Sequence, residues 1–357
     1  MKTAEFDYEL PPDLIAQTPI EPRDASRLMV VDRRTGEIAH RHFYNLPDYL
    51  EPGDLLVHNE SRVIPARLFA RKPTGGKVEI LLLRQRNPST WHALVKGKRV
   101  RVGLRLALLD GPDGSPIGTQ AEVVEEGERG ERTLAFAQPA LTLAGQVGVT
   151  PLPPYIHTPL EDAERYQTVY ARVPGSAASS TAGLHFTPEL LLRLREMGVR
   201  SAFVTLHIGL DTFRPVGEDD IEDHPMHTEY CSLTPEVAQQ VNQARLEGHR
   251  VVAVGTTSVR TLETAALAAV GGDGEPCADG CPWRQVAAFE GDTDLFITPG
   301  FRFRAVDGLI TNFHLPRSTL LMLVAAFASK ELLDRAYAEA IEQQYRFYSF
   351  GDAMLIL

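Results

Sequence analysis

The chain has few cysteines and no long hydrophobic run, and each shortage excludes a class of protein. Its 357 residues include three cysteines, which is an odd number and too few for a disulfide framework. The longest apolar stretch, residues 319–328, is much shorter than the ~20 residues that cross a bilayer. The first eight residues are too acidic and polar for a signal peptide. We therefore expect a cytoplasmic protein with reduced thiols.

Several familiar catalytic motifs are also missing. The chain contains no G-x-S-x-G elbow, no Walker lysine loop, no H-E-x-x-H pair, and no G-x-G-x-x-G after a strand. These absences disfavour acyl transfer and dinucleotide redox chemistry. Cys277 and Cys281 form a C-x3-C pair, but their neighbourhood offers no two further metal ligands, so a metal site is disfavoured there.

Three similar apolar segments, residues 181–186, 204–209 and 311–316, each place a histidine near their end. Each has the pattern of a buried strand whose last residues are polar, and ligand crevices lie beyond such strand ends. One histidine after an apolar run is most often a core side chain. The repetition of His185, His207 and His314 instead favours one shared pocket. A metal site built on the three is an alternative, although the sequence has no carboxylate at an obvious position to hydrogen-bond the histidine rings that would bind the metal.

Helical and strand patterns alternate along most of the chain. A helix is predicted for residues 234–248, and a buried strand follows at 251–254. A second helix, at 187–198, leads into the segment that ends at His207. Residues 27–43 have the pattern of a hairpin, which predicts antiparallel edges. The fold class is therefore α/β, a mixed sheet with helices.

A different pattern lies between Pro65 and the proline cluster at 151–154. Six short runs there alternate in polarity and are separated by Gly, Pro and Asp turns, which predicts a small antiparallel β-barrel or sandwich. The runs are 67–71, 77–84, 91–95, 105–109, 120–124 and 132–136. We predict a discontinuous α/β catalytic domain, residues 1–62 and 151–357, with an inserted β-barrel domain, residues 63–150.

The charge of the chain is unevenly distributed. The net charge is −11, yet residues 62–105 contain twelve Lys and Arg against one acid, Glu79. A basic island on an acidic protein is typical of a surface that contacts a phosphate backbone. The alternative is that these cations are solvated strand faces.

Two turns are suited to anions. Residues 254–260 lead from a strand through glycine into a helix opened by Thr256, Thr257 and Ser258, and residues 314–320 form a similar turn. Free backbone N–H groups and the helix dipole favour a carboxylate or phosphate at such a terminus, and Arg260 could add a charged donor. For any one such turn, ordinary helix capping is a more frequent explanation than ligand binding.

Long motifs in order along nearly the whole chain resemble the S-adenosylmethionine:tRNA ribosyltransferase-isomerase family. They are residues 28–31, 54–62, 181–186, 204–209, 223–224 with His227, Glu229 and Tyr230, 254–263, 311–319 and 345–352. The chain departs from the family pattern at Ser180, where proline is usual, and at Asp211, where glycine is usual.

The resemblance implies an enzyme that modifies tRNA. In this family the ribosyl moiety of S-adenosylmethionine is transferred and isomerised onto the 7-aminomethyl-7-deazaguanine wobble base, giving epoxyqueuosine, adenine and methionine. S-adenosylmethionine is then a co-substrate, and no tightly bound cofactor or metal is implied. The resemblance implies a reaction that begins with proton loss from the carbon next to the sulfonium. The expected partners are that tRNA and S-adenosylmethionine, with no membrane, and a monomer is expected.

The resemblance also suggests roles for individual residues. His185 and His207 are candidates for the base and the acid, because histidine takes either role near neutral pH. His314 and Asn312 would position the ribose or the target base. Substrate contacts are expected from Thr256, Thr257, Ser258 and Arg260 on the methionine carboxylate, Glu229 and Asp352 near the sulfonium or amine, and Phe186 and Tyr230 as stacking surfaces. The expected tRNA contacts are Lys96, Lys98, Arg99 and Arg101.

Two rival functions stay open at this point. One is a metal-dependent hydrolase built on the three histidines. The other is a non-catalytic RNA-binding module in which the basic domain acts alone. Residues 271–283 resemble a variable insertion to which the sequence assigns no role.

Overall fold

The structure is a computed structural model that describes residues 1–128, 130–209, 216–226, 228–270 and 285–357. Asp211, His227, the Cys277 and Cys281 pair and the 271–283 stretch lie outside these residues.

The chain divides into two compact units. The first contains residues 1–61, 153–172 and 180–357, and the second contains residues 62–152 and 173–179. The short segment 173–179 therefore packs with the second unit, although it follows the proline cluster in sequence.

Seventeen strands and six α-helices are described, together with short 3-10 turns. In chain order the strands are β1 (Arg27–Val31), β2 (Ile38–His42), β3 (Leu55–Asn59), β4 (Ser61–Val63), β5 (Arg67–Arg71), β6 (Lys77–Asn87), β7 (Thr90–Lys96), β8 (Arg105–Leu109), β9 (Pro116–Glu126), β10 (Glu131–Phe136), β11 (Val173–Ser176), β12 (Arg200–Leu206), β13 (Glu229–Leu233), β14 (Val251–Val254), β15 (Phe289–Thr293), β16 (Gly308–Asn312) and β17 (Ala353–Ile356). The helices are α1 (Ala140–Val147), α2 (Pro188–Glu196), α3 (Pro235–Leu246), α4 (Thr256–Val270), α5 (Thr319–Ala328) and α6 (Lys330–Glu342).

The first unit is built on a nine-stranded mixed sheet in the order β15-β13-β12-β3-β14-β16-β17-β1-β2. Its central strands β12, β3, β14 and β16 are parallel, and antiparallel pairs flank them on both sides. Alternate residues of β3 face two separate cores, Leu55 and Val57 on one side and Leu56 on the other. Burial on both faces explains why these strands are continuously apolar. The predicted α/β class is confirmed.

Parallel pairing brings the ends of four strands to one edge of the sheet. Asn59, Leu206, Val254 and Asn312 are the last residues of β3, β12, β14 and β16. The Asn59 side chain accepts from the Leu206 N–H at 3.0 Å and donates to the Leu206 carbonyl at 3.0 Å, which joins two of these ends. We call this row of strand ends the carboxyl edge.

One of the three predicted histidine strands is wrong. Residues 204–206 and 311–312 do close strands, but Thr181–His185 is a 3-10 turn. The N–H of Gly183 bonds to the Ser180 carbonyl, and the N–H of Phe186 bonds to the Gly183 carbonyl. A side chain at Gly183 would collide with Tyr170, so the small residue is required where this turn meets its neighbour. An apolar run of this length does not distinguish a buried turn from a strand.

The second unit contains a closed antiparallel barrel in the order β10-β7-β6-β5-β8-β9. Trp91, Leu106 and Leu134 are among its buried side chains. The hydrophobic side chains alternate with exposed ones, as along β7, because successive residues of a strand point to opposite faces. The predicted barrel is confirmed, and the sandwich alternative is not observed.

No helix in the described ranges is long and apolar enough to cross a membrane. Within the same ranges, no group of three or more His, Cys, Asp or Glu side chains is arranged to hold a metal ion.

A fully buried histidine lies in the central strand β3. His58 stacks on Phe203 at 5.4 Å between ring centroids and meets the edges of Phe186 and Tyr170. Neither ring nitrogen has a hydrogen-bond partner among the described residues. Burial lowers the pKa of His58 to about 3, so the ring is neutral in the folded protein.

We expect His58 to weaken the fold in acid. Between pH 6.5 and 3 the unfolded chain binds a proton at His58 that the folded chain excludes, so stability falls as the pH falls. His58→Phe should flatten the pH dependence of the unfolding free energy by up to ~1.4 kcal/mol per pH unit. Urea unfolding at pH 7.5 and pH 5 measures this, with exposed His42→Phe as the control. An unchanged slope in His58→Phe would contradict the assignment.

Candidate functional site

His185 is held at the carboxyl edge by two hydrogen bonds. Its Nδ1 lies 2.7 Å from the Ser26 hydroxyl, and its Nε2 accepts from the Asn312 amide at 3.1 Å. The ring also stacks on Phe43 at 5.0 Å. Because Asn312 donates to Nε2, the proton of the neutral ring lies on Nδ1 and points to Ser26. Burial, together with Arg23 and Arg346, lowers the pKa of His185 to about 3.

Asn312 has an unused acceptor. Its Nδ2 donates to His185 and lies 3.3 Å and 3.4 Å from the carbonyls of Tyr348 and Asp352. Its Oδ1 is buried and has no partner within the described part of the chain. A buried acceptor without a partner is costly unless a ligand or water completes it. This oxygen is therefore available to an N–H or O–H donor.

The start of α4 lies beside the turn that carries His185. Gly255, at φ +89°, turns β14 into the helix, and a side chain there would press on Ser180. The Ser180 and Thr257 hydroxyls are 3.2 Å apart. The Ser258 hydroxyl instead donates to the Val254 carbonyl at 2.8 Å and is fully buried. Of the three hydroxyls predicted to contact the methionine carboxylate, that of Ser258 thus serves the strand-to-helix turn, whereas Thr256 and Thr257 retain slight exposure.

His207 lies one residue beyond β12 and has a different environment. Its ring stacks on Tyr230 at 5.7 Å with an interplanar angle of 20°. Its Nδ1 is buried without a hydrogen-bond partner among the described residues. Burial lowers the pKa of His207 to about 4. The Tyr230 hydroxyl donates to Glu290 at 2.9 Å, which keeps the stacking ring in place.

Glu229 and Arg260 form a buried ion pair next to His207. Their side chains are 5% and 4% exposed. The second Glu229 oxygen accepts from the Gly209 N–H at 2.8 Å, and Arg260 also donates to the Leu295 carbonyl at 3.1 Å. The predicted substrate contacts of Glu229 and Arg260 stay predictions, since the two side chains are paired with each other.

The His314 side chain is hydrogen-bonded to β16, the strand that precedes it. Its Nε2 lies 2.6 Å from the Thr311 hydroxyl, its N–H donates to the Tyr337 hydroxyl at 2.8 Å, and its carbonyl accepts from Tyr8. Burial lowers the pKa of His314 to about 3. Among the described residues, no hydrogen bond joins any two of the three candidate histidines.

Two other predicted substrate contacts lie within the packed interior. Asp352 is 1% exposed and accepts from the N–H groups of Arg27 and Arg346, both at 2.8 Å. Phe186 is fully buried, with its ring against Phe43 and His58. Burial raises the pKa of Asp352, while its two N–H donors oppose that shift. Both side chains are therefore held by contacts within the protein interior.

The four predicted tRNA contacts are exposed in the second unit. Lys96 ends β7, and Lys98, Arg99 and Arg101 lie in the following loop. Within the described residues none of the four forms an ion pair, whereas Arg67, Lys77, Arg86 and Arg105 pair with acids of the same unit. Residues 62–152 carry fourteen Lys and Arg against eight Asp and Glu, so the unit as a whole is basic.

Sequence reasoning missed several residues that shape the site. Ser26 and Tyr8 are far from the histidines in sequence and have no motif of their own. Asn59 carried a usable signal, because it is a polar residue at the end of an apolar strand, as the three histidine segments were expected to be.

Removing one partner of the Glu229–Arg260 pair should destabilise the first unit strongly. Glu229→Gln leaves a buried guanidinium without its carboxylate, at a cost of about 3 kcal/mol or more. The double variant Glu229→Gln, Arg260→Met should recover most of that loss. Asp334→Asn, which removes the partner of Lys330 in an exposed pair, is the control and should change the unfolding free energy little. Equal losses of unfolding free energy in Glu229→Gln and Asp334→Asn would contradict a special contribution of the buried pair to stability.

The chain is similar over its whole length to known proteins. A family model described as "Queuosine biosynthesis protein" matches residues 3–356. A Moorella thermoacetica protein named S-adenosylmethionine:tRNA ribosyltransferase-isomerase is 54% identical, covering 100% of both chains. A Thermus thermophilus protein of the same name is 56% identical over 99% of this chain and 98% of its own. A crystal structure of the S-adenosylmethionine tRNA ribosyltransferase from Thermotoga maritima is 43% identical, with a TM-score of 0.55, covering 99% of this chain and 100% of that one. The chain therefore belongs to the queuosine biosynthesis protein family.

Proposed function

We propose that this protein is an S-adenosylmethionine:tRNA ribosyltransferase-isomerase. It transfers and isomerises the ribosyl moiety of S-adenosylmethionine onto the 7-aminomethyl-7-deazaguanine wobble base of tRNA, and epoxyqueuosine, adenine and methionine are the products. The observation that carries the proposal is full-length similarity, at 54% and 56% identity, to relatives of that name. S-adenosylmethionine is a co-substrate in this reaction, and the cytoplasm is the proposed location because both substrates are found there.

The carboxyl edge offers the proton chemistry that this reaction needs. The positive sulfur acidifies the neighbouring C–H, and a neutral imidazole can accept that proton. His185, His207 and His314 all have a pKa well below 7, so each is neutral at physiological pH. None begins the reaction as an acid. We propose that the imidazole that takes the proton from carbon later gives it to the departing adenine.

His207 is the stronger candidate for this role. Its Nδ1 has no partner among the described residues, whereas both ring nitrogens of His185 are bonded. A base must have a free lone pair within reach of the substrate. His185 then positions Asn312, whose unused Oδ1 can accept from the ribose or the base. Thr256 and Thr257 at the start of α4 are proposed to hold the methionine carboxylate.

Incubation with S-adenosylmethionine and tRNA that carries the aminomethyl base tests the proposed activity. We expect release of adenine together with an increase in the mass of the modified nucleoside. Folded protein that binds this tRNA but gives neither product would leave the RNA-binding module as the better interpretation.

Replacement of His207 tests the proton-transfer role. His207→Phe keeps a ring against Tyr230 and removes the free nitrogen, so single-turnover adenine release should fall by about 100-fold or more. His249→Phe is the control, because it removes an imidazole two residues before β14, at the end of that strand opposite to the carboxyl edge, and it should stay near the wild-type rate. A His207→Phe enzyme with the wild-type rate would exclude the assignment.

The basic loop of the barrel unit is proposed to bind the anticodon arm. Replacing Lys96, Lys98, Arg99 and Arg101 with Gln should weaken tRNA binding and reduce the slope of log K against log salt by about 3. The matched control replaces Arg67, Lys77, Arg86 and Arg105 with Gln, which removes the same charge from cations that are already paired. Filter-binding titrations at several salt concentrations measure both slopes. Equal effects of the two sets would show that net charge, and not this loop, matters.

A further inference from the structure

We propose that a small arginine-lined cleft in the first unit binds a backbone phosphate of the tRNA beside the nucleotide that is modified. The inference rests on the proposed function and assigns a second RNA contact to the unit that carries the histidines.

The cleft adjoins the carboxyl edge at His185. Its lining includes Arg23, Arg165 and Leu184, residues 349–351 of the segment before β17, and His185 itself. Its cavity volume is about 20 Å³, which accommodates one small polar group and no nucleobase. A ligand group in this cleft would therefore lie next to the ring of His185.

Arg23 is fixed in place without losing its charge. Its guanidinium donates to the carbonyls of Gln167, Leu184 and Glu164 at 2.9, 3.3 and 3.1 Å. Arg346 does not line the cleft, but it lies three residues before the lining segment 349–351 and donates to the carbonyl of Thr18, which directly precedes the lining residues Pro19 and Ile20. Within the described residues neither arginine forms an ion pair with a carboxylate. Neutral carbonyls orient the two side chains, so neither guanidinium is tied up in an ion pair within that part of the chain.

The acids near the cleft offset this charge only in part. Glu21, Asp162 and Glu164 interact electrostatically with Arg23, but among the described residues none of them forms an ion pair with it. Asp352 is buried, and its two oxygens accept from the N–H groups of Arg27 and Arg346. Glu21 pairs with Arg165 and is 73% exposed. The positive potential extends to the catalytic edge, since Arg23 and Arg346 both contribute to the low pKa of His185.

A phosphate diester fits these features better than the methionine carboxylate does. Guanidinium groups bind phosphate oxygens through several N–H donors at once. A phosphate on the outside of an RNA strand can place one oxygen in a shallow cleft. The carboxylate of S-adenosylmethionine, in contrast, must bring the methionine chain and the adenosyl group with it. The volume of about 20 Å³ leaves no room for that chain.

The test combines two protein variants with two RNAs. Arg23→Gln and Arg346→Gln are compared with Arg33→Gln. Arg33 also donates to main-chain carbonyls, those of Phe327 and Asp307, but it follows the carboxyl end of β1, whereas Ser26 and its partner His185 lie at the other end of that strand. The RNAs are anticodon stem-loops with the aminomethyl base, one natural and one with uncharged methylphosphonates on both sides of that nucleotide. Affinity is measured by titration, and thermal melting verifies that each variant is folded.

We expect the wild type and Arg33→Gln to bind the methylphosphonate RNA about tenfold more weakly than the natural RNA. Arg346→Gln should bind the natural RNA about tenfold more weakly and discriminate little between the two RNAs, with an unchanged KM for S-adenosylmethionine. If Arg23→Gln does not fold, Arg346→Gln still decides the result.

Full discrimination by Arg346→Gln would overturn the proposal. A raised KM for S-adenosylmethionine with unchanged RNA affinity would also overturn it, in favour of the carboxylate. The titration needs no turnover, so it tests phosphate binding in the cleft even if the wild type releases no adenine. The absence of adenine release would instead refute the proposed function.

Discussion

The parallel alignment of β12, β3, β14 and β16 is the constraint on which the rest of the site depends. These strands are buried on both faces, so polar side chains from this part of the sheet can meet a ligand only beyond the strand ends. The residues that follow the strands include His207, Thr256 and His314, and the turn that carries His185 packs across the same edge through Asn312. Hydrophobic burial of the strands thus places polar side chains that are distant in sequence along one edge of the sheet.

Desolvation determines what those groups can do. The same burial that stabilises the sheet keeps the candidate histidines neutral, because a low-dielectric environment penalises the imidazolium. Fully buried charges at the edge are compensated, as Glu229 and Arg260 are by each other. Arg23 and Arg346 differ, since main-chain carbonyls hold them and neither forms an ion pair among the described residues. The edge therefore combines neutral proton acceptors with positive charge nearby.

The fold was largely predictable from periodicity and turn chemistry. Alternation in β7 and the proline-led start of α3 identified the barrel and the helices, because such signals are local. The turn at Thr181–His185 was predicted as a strand, since only its packing against Tyr170 distinguishes the two. Site residues were predicted by type at the strand ends, but their partners were not. The hydrogen bond between Ser26 and His185 and the ion pair between Arg260 and Glu229 join distant parts of the chain. No local pattern in the sequence specifies such contacts.

The fate of the ribose carbons of S-adenosylmethionine distinguishes ribosyl transfer from methyl transfer. The protein would be incubated with tRNA that carries the aminomethyl base and with S-adenosylmethionine labelled with carbon-13 in its ribose, and the modified nucleoside and small products would be analysed by mass spectrometry. If the ribosyl group is transferred, the ribose label moves to the nucleoside while unlabelled adenine and methionine are released. Transfer of the methyl group, with the ribose label left in an adenosyl product, would contradict the proposed function.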